Sequence, residues 1–170
     1  MTIQNSKCRY IFIALLAGWM TFIFLMSAAP GMQSEDASGR LTVFVQKAFF
    51  KRWESLPEAE FHNMLGKLHY FLRKLSHFAE YAMLGVLLSL VLMTFELRFR
   101  VRFLIGFFAG TLYAITDEIH QLFVPAREGA AFDVLVDAAG VLAGCIFAFG
   151  SFAMAYADSQ VRESGMHRES

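Results

Sequence analysis

Ionisable and strongly polar positions crowd into one apolar stretch of this chain, Tyr113 to Gly144. Asp117, Glu118, His120 and Gln121 close one apolar run, Arg127 follows in a short turn, and Asp133 and Asp137 open the next run. Upstream, Lys74, His77, Glu80 and Tyr81 stand together at the start of another apolar run. Charge in an apolar setting costs several kcal/mol, on the order of 2–7 for an unpaired polar group, unless it is paired or hydrated. Histidines beside carboxylates are the residue types of general acid–base chemistry. Asp117, His120, Glu118, His77 and Glu80 are therefore the candidate catalytic residues. Lys74, Tyr81, Gln121, Arg127, Asp133 and Asp137 are candidates for holding a substrate. His77, Glu80, Asp117, His120 and Asp133 are also of the right type to ligate zinc, manganese or iron, so a divalent metal ion is a candidate cofactor. No HExxH-type signature supports a zinc enzyme, and no nucleophile motif stands out.

The elements that must position these residues are membrane spans. The chain has 170 residues, is 56% hydrophobic and only 18% charged, and has 19 Phe, which is too apolar for a soluble domain of this size. Four runs have the length a bilayer core requires, about 20 residues: residues 10–29, 75–95, 103–123 and 132–154. Ser27-Ala28-Ala29 resembles a signal-peptide cleavage site, but the first run is longer than a usual signal core and is followed by further spans, so it reads as an anchor. The fold class expected is all-α: an integral membrane protein of four transmembrane helices in one domain, 1–156, with a polar, disordered cytoplasmic tail at 157–170.

Residues 30–74 form the segment between the first two spans. Pro30 to Ser38 reads as a loop. Leu41, Phe44, Val45, Ala48, Phe49 and Trp53 fall on one helical face with Lys47, Lys51 and Glu54 opposite, the pattern of an amphipathic helix in the membrane interface. Ser55-Leu56-Pro57-Glu58 has the spacing of a capping box. A second amphipathic stretch follows through Phe61, Leu65, Leu68, Leu72 and Leu75. His62 and His69 read as surface residues within it.

Arg98, Arg100 and Arg102 in a very short loop, with Lys7 and Arg9 at the start, place both termini in the cytoplasm by the positive-inside tendency. The 30–74 segment then lies outside although it is itself rich in Lys and Arg; its length and its acids weaken that objection. Under this topology the His77, Asp117 and Asp133 groups all fall at one depth, near the outer surface. Helical phase agrees: His77, Glu80 and Tyr81 share a face, as do Asp117, His120 and Gln121, and Asp133 and Asp137. Gly110 lies about two turns, roughly 10 Å, beneath Asp117, and Gly140 the same distance beneath Asp133. The pairs Gly106/Gly110 and Gly140/Gly144 thus predict an antiparallel seam joining the third and fourth spans.

Net charge is zero, which leaves no nucleic-acid footprint. Cys8 and Cys145 are too isolated for a disulfide framework or a metal knuckle, and Cys145 reads as a packing residue.

Three stretches, Lys74-Leu-Ser-His77-Phe-Ala-Glu80-Tyr81, Asp117-Glu118-Ile-His120-Gln121-Leu-Phe-Val-Pro125-Ala-Arg127 and Asp133-Val-Leu-Val-Asp137-Ala-Ala-Gly140-Val-Leu-Ala-Gly144, resemble the VanZ-like family of small bacterial membrane proteins. The stretch from Phe24 to Ser38, with Ser27, Pro30, Ser34 and Ser38, looks like that family's first-span exit. Ala126 stands where the family usually has glycine. The resemblance implies a multi-pass protein of the bacterial plasma membrane. The family is named for a protein that gives low-level resistance to the glycopeptide teicoplanin, so the resemblance also implies a link to the cell envelope.

Three functions fit the residues. One is an enzyme acting on a lipid-linked or cell-envelope substrate. The second is a non-catalytic binder or transporter of an anionic lipid, a glycopeptide or a proton; four spans are few for a transporter, so that version needs an oligomer. The third is a polar network that only holds helices together. Contacts of that kind yield about 0.6 kcal/mol each, a small return for so much buried charge. The lipid bilayer is the partner common to all three.

Overall fold

A computed structural model describes the backbone at residues 6–28, 31–125 and 131–166, and side chains at 6–28, 39–125 and 132–161. The elements in order are α1 (Ser6–Ala28), α2 (Gly31–Phe49), a 3-10 turn (Lys51–Ser55), α3 (Glu58–Leu92), α4 (Phe99–Gln121) and α5 (Ala131–Met166). No strand occurs among the described residues, so the fold is all-α. Four helices, α1, α3, α4 and α5, are long and apolar enough to cross a membrane.

Cross-helix contacts fix how these four run. Arg9 reaches Thr94, and the Trp19 indole N–H donates to the Glu80 carbonyl at 2.9 Å, so α1 runs antiparallel to α3. Lys74 meets Asp133, His77 meets Asp137, and Gly85 meets Val141, so α3 and α5 run parallel. The bundle therefore has two distinct ends. The site end holds Lys74, His77, Asp117, Asp133 and Asp137. The arginine end holds Arg9, Arg98 and Arg102.

The inside of the bundle is a cluster of Ile23, Tyr81, Leu84, Met93, Ala114, Val141, Cys145, Ala148 and Phe149. The outside is apolar too. Phe108, Leu112, Leu135 and Phe147 are all more than half exposed, as a surface that meets lipid tails requires.

The glycine seam differs from the one the sequence predicts. A Cβ on Gly140 would strike the Phe78 carbonyl, one on Gly144 the Ala82 carbonyl, and one on Gly85 the Val141 carbonyl. The Gly140/Gly144 pair therefore opens onto α3 and not onto α4, and the tightest backbone approach joins the parallel helices α3 and α5. Gly106 and Gly110 do face α5, but through the side chains of Cys145 and Val141, and they also face Leu92 and Leu88 of α3. Cys145 itself is buried in this seam, its Sγ 3.7 Å from the Gly85 carbonyl.

Three local expectations are also corrected. Residues 31–38, expected as loop, are the first turns of α2. Residues 157–166, expected as disordered tail, continue α5 without a break. The capping box at Ser55 to Glu58 does not form. α3 starts after Pro57 with no side-chain cap, because the Ser55 hydroxyl bonds back to the Arg52 carbonyl at 2.8 Å. The second amphipathic stretch and the second span are one helix of 35 residues. Its first half carries α2 alongside, where Thr42 and His69 lie 3.4 Å apart and a groove of about 660 Å³ runs past His62 and His69.

Candidate functional site

The site is assembled on the α3–α5 seam. The backbones approach closely because Gly140 and Gly144 have no side chain, and one to two turns toward the site end the same faces carry Lys74 and His77 on α3 and Asp133 and Asp137 on α5. Spacing does the rest. Lys74 and His77 are three residues apart and Asp133 and Asp137 four, so both pairs sit on one face and meet in register between parallel helices.

Lys74 Nζ is hydrogen-bonded to Asp133 Oδ1, and the ammonium also lies 5.1 Å from the Tyr70 ring centroid. His77 Nδ1 stands 3.5 Å from Asp137 Oδ1, the distance of an ion pair and not of a well-made hydrogen bond. The Asp137 side chain is fully buried, and neither of its oxygens has a hydrogen-bond partner among the described residues. The His77 side chain keeps 14% exposure.

Tyr81, one turn beyond His77, is fully buried, and its hydroxyl has no hydrogen-bond partner among the described residues. The carboxylates of Asp117 and Asp137 are its charged neighbours. Asp117, on α4, accepts a hydrogen bond from the Gln121 amide at 3.1 Å, and both side chains are buried. Asp137 feels the charges of Asp117, Asp133 and His77 together. Residues from three helices thus form one electrostatic group: Lys74, His77 and Tyr81 from α3, Asp117 and Gln121 from α4, and Asp133 and Asp137 from α5.

Not every candidate joins it in the same way. The His120 ring turns to α1 and stacks on Phe24 at 4.8 Å. Tyr113, two turns earlier on that flank, donates to the Met20 carbonyl at 2.7 Å, so this face of α4 serves to hold α1. Glu80 presents its carbonyl to Trp19 of α1, while its charge is felt at His77. Glu118 is buried on α4. Arg127 lies outside the described residues.

Two residues of α1 lie at the same end of the bundle, unannounced by any charge. Phe24 covers His120, and Ser27, one turn on, is buried at 4% exposure. Ser27 is a hydroxyl near the end of an apolar run, a weak signal by itself.

The donor set bears on the metal reading. Among the described residues no three His, Cys, Asp or Glu side chains converge as metal ligands would. The acids are instead taken up in pairs, Asp133 by Lys74 and Asp137 by His77. What the arrangement offers directly is proton chemistry. An imidazole beside a buried carboxylate can take up and return a proton, and a phenol near the same carboxylates can donate a hydrogen bond.

No curated protein and no solved structure matches the chain. The family model described as VanZ/LLP1 matches residues 12–153, a range that takes in every residue of this group, and the chain belongs to that family.

Proposed function

We propose that the group around His77 and Asp137 is an acid–base site at the outer face of the bilayer, acting on a lipid-linked or cell-envelope substrate. The observation that carries this reading is Asp137. A fully buried carboxylate held only by an imidazole 3.5 Å away, with no hydrogen-bond partner among the described residues, is a poor choice for holding helices together. Such a group is kept where its charge is needed. His77 is the partly exposed member and is the proton carrier. Asp137 orients the imidazole and balances it when charged. The Tyr81 hydroxyl, with Asp117 and Asp137 as its charged neighbours, offers a hydrogen bond. Lys74, with Asp133 beside it, supplies the cation that draws an anionic head group to the rim.

The link to glycopeptide tolerance is part of the same proposal and follows from the family's name. The outer placement assumes cytoplasmic termini. A cysteine introduced near Phe123 should react with an impermeant thiol reagent added outside, and one near Arg100 should not. The reverse pattern removes the placement.

The site is tested with His77→Gln and Asp137→Asn, each expressed in cells lacking the native protein. Both should abolish teicoplanin tolerance, and Asp137→Asn, which removes the buried charge itself, should leave the melting temperature in detergent unchanged or raised. Mass spectra of envelope lipids separate an enzyme from a binder. An enzyme leaves a covalent difference between wild type and His77→Gln, whereas a binder changes glycopeptide retention with identical lipids. If both variants melt far lower while the folded remainder stays active, the group is structural and the proposal fails.

A further inference from the structure

Most serine and threonine hydroxyls of the bundle follow one habit. Ser89 donates to the Gly85 carbonyl at 2.8 Å and Thr94 to the Val91 carbonyl at 2.7 Å. The exposed Thr21, Ser76 and Thr116 likewise bond carbonyls of their own helices. A hydroxyl on a helix satisfies itself in this way. Ser27 and Thr111 depart from it, and of the two Ser27 stands at the site end. It is 4% exposed, and its Oγ has no hydrogen-bond partner among the described residues. A buried hydroxyl left open costs stability and calls for a reason.

Depth and face turn that hydroxyl toward the acid–base group. The Trp19 indole nitrogen and the Glu80 carbonyl oxygen are 2.9 Å apart on the antiparallel helices α1 and α3. Counted from that contact, Ser27 stands about 12 Å farther along α1 and Lys74 about 9 Å farther along α3, so the two are nearly level. Ile23, one turn before Ser27, is 2% exposed and belongs to the interior cluster with Tyr81. Phe24, Leu25 and Met26 are all more than 40% exposed. Ser27 therefore shares the inward face of α1. His120 adds a second open atom at this end. Its ring stacks on Phe24 at 4.8 Å, and its Nε2 is buried with no hydrogen-bond partner among the described residues.

We propose, on the acid–base reading of the site, that Ser27 and His120 bind the head group of the membrane-borne substrate from the α1 side, and that this head group is a phosphate ester. The Ser27 hydroxyl and an imidazole N–H of His120 each donate to one oxygen, while the Lys74 ammonium supplies the charge. Three donors on three helices match the three free oxygens of a phosphate monoester, where a carboxylate presents two. Phe24, half-buried and stacked on His120, meets the first carbons of the lipid chain, a contact that free phosphate cannot use.

The test uses the purified full chain in a neutral detergent, with dihexanoyl phosphatidic acid, dihexanoyl phosphatidylcholine or inorganic phosphate as probe, and reads affinity from thermal-shift titrations. Wild type should bind phosphatidic acid and neither of the others at the same concentration. Ser27→Ala should weaken that binding about tenfold, as loss of one hydrogen bond to a charged group does. Ser27→Cys keeps the volume, loses the strong donor and should weaken it by a similar factor. Without ligand, both variants should melt at or above the wild-type temperature, since no native bond is lost. His120→Phe keeps the stack on Phe24 without the ring nitrogens and should also bind about tenfold more weakly. Undiminished affinity in Ser27→Ala and Ser27→Cys overturns the proposal, and so does wild-type protein that ignores phosphatidic acid. Equal binding of phosphatidylcholine or of inorganic phosphate overturns it as well. His77→Gln separates this inference from the acid–base reading, because it should keep the affinity and lose teicoplanin tolerance. Tolerance lost in His77→Gln with full affinity in the Ser27 variants leaves the acid–base reading standing alone. Weakened Ser27 variants with tolerance intact in His77→Gln leave the head-group contacts and remove the acid–base reading.

Discussion

The two ends of the bundle treat charge in opposite ways. At the arginine end, Arg9 lies along the surface, donating to the Thr94 carbonyl at 2.6 Å and hydroxyl at 3.2 Å, with its guanidinium 4.6 Å from the Phe95 ring. Arg98 and Arg100 are exposed. Apart from the buried Arg102, that is the ordinary behaviour of long cationic side chains near a bilayer surface, which keep their stems in apolar surroundings and their heads in water. At the site end the charges are carried on short acids that turn inward, and Asp117, Asp133 and Asp137 are all buried. A short carboxylate cannot extend to the interface as arginine does. Its burial is therefore a property of the position and must be balanced locally. Lys74 balances Asp133 well and His77 balances Asp137 only loosely. The difference teaches where this protein gives up stability, and why that end is the functional candidate.

The largest expected effect comes from removing the seam on which the acid end is built. Gly144→Leu drives a side chain into the Ala82 carbonyl, and backbone on both sides leaves nothing that can yield. Inserted, monodisperse protein should be lost. Gly106→Ala, at the opposite end of α4, would meet the flexible tip of Leu92 at 3.3 Å and should cost about 1 kcal/mol or less. Gel filtration of the detergent-solubilised variants checks both. Equal tolerance would mean that α3 and α5 are not the close pair.

A smaller effect is expected within the acid end. Lys74→Met strands Asp133 as an unpaired buried charge, which costs about 3–5 kcal/mol, while Lys74→Met with Asp133→Leu should recover most of the loss. Arg9→Gln gives the smallest change, about 1–2 kcal/mol for its hydrogen bonds and ring contact. Denaturation of the three variants in one detergent ranks them. If Arg9→Gln costs as much as Lys74→Met, the contrast between the ends is gone.

Much of this was legible in the residues. Run length gave four spans, since a bilayer core fixes how many apolar residues a helix needs. Spacing in threes and fours placed Asp133 with Asp137 and Asp117 with Gln121, because 3.6 residues per turn is a property of the backbone and not of the fold. The gathering of all three groups at one end followed from counting spans.

The errors share a cause. Phase says which residues share a face, but not which neighbour that face meets, so Gly140 and Gly144 of α5 were expected to face α4 and instead face α3. The same ambiguity hid the division of labour on α4, where Asp117 and Gln121 turn into the bundle and His120, one position aside, turns to Phe24. Polar composition at 31–38 and 157–166 suggested irregular chain, but a helix already nucleated in an adjoining apolar stretch extends at little further cost.

By itself, then, the sequence determined an all-α chain able to cross a membrane four times, with His77, His120, Asp117, Asp133 and Asp137 at one end, because hydropathy and helical period are local properties. Only the tertiary structure decided that Lys74 takes Asp133, that His77 stands 3.5 Å from Asp137, and that Arg102 is buried beside Phe149. Those pairings depend on which helices lie side by side and in what register. That was settled by three glycines of α3 and α5 meeting the opposing backbone, a contact between segments some sixty residues apart that no local pattern encodes.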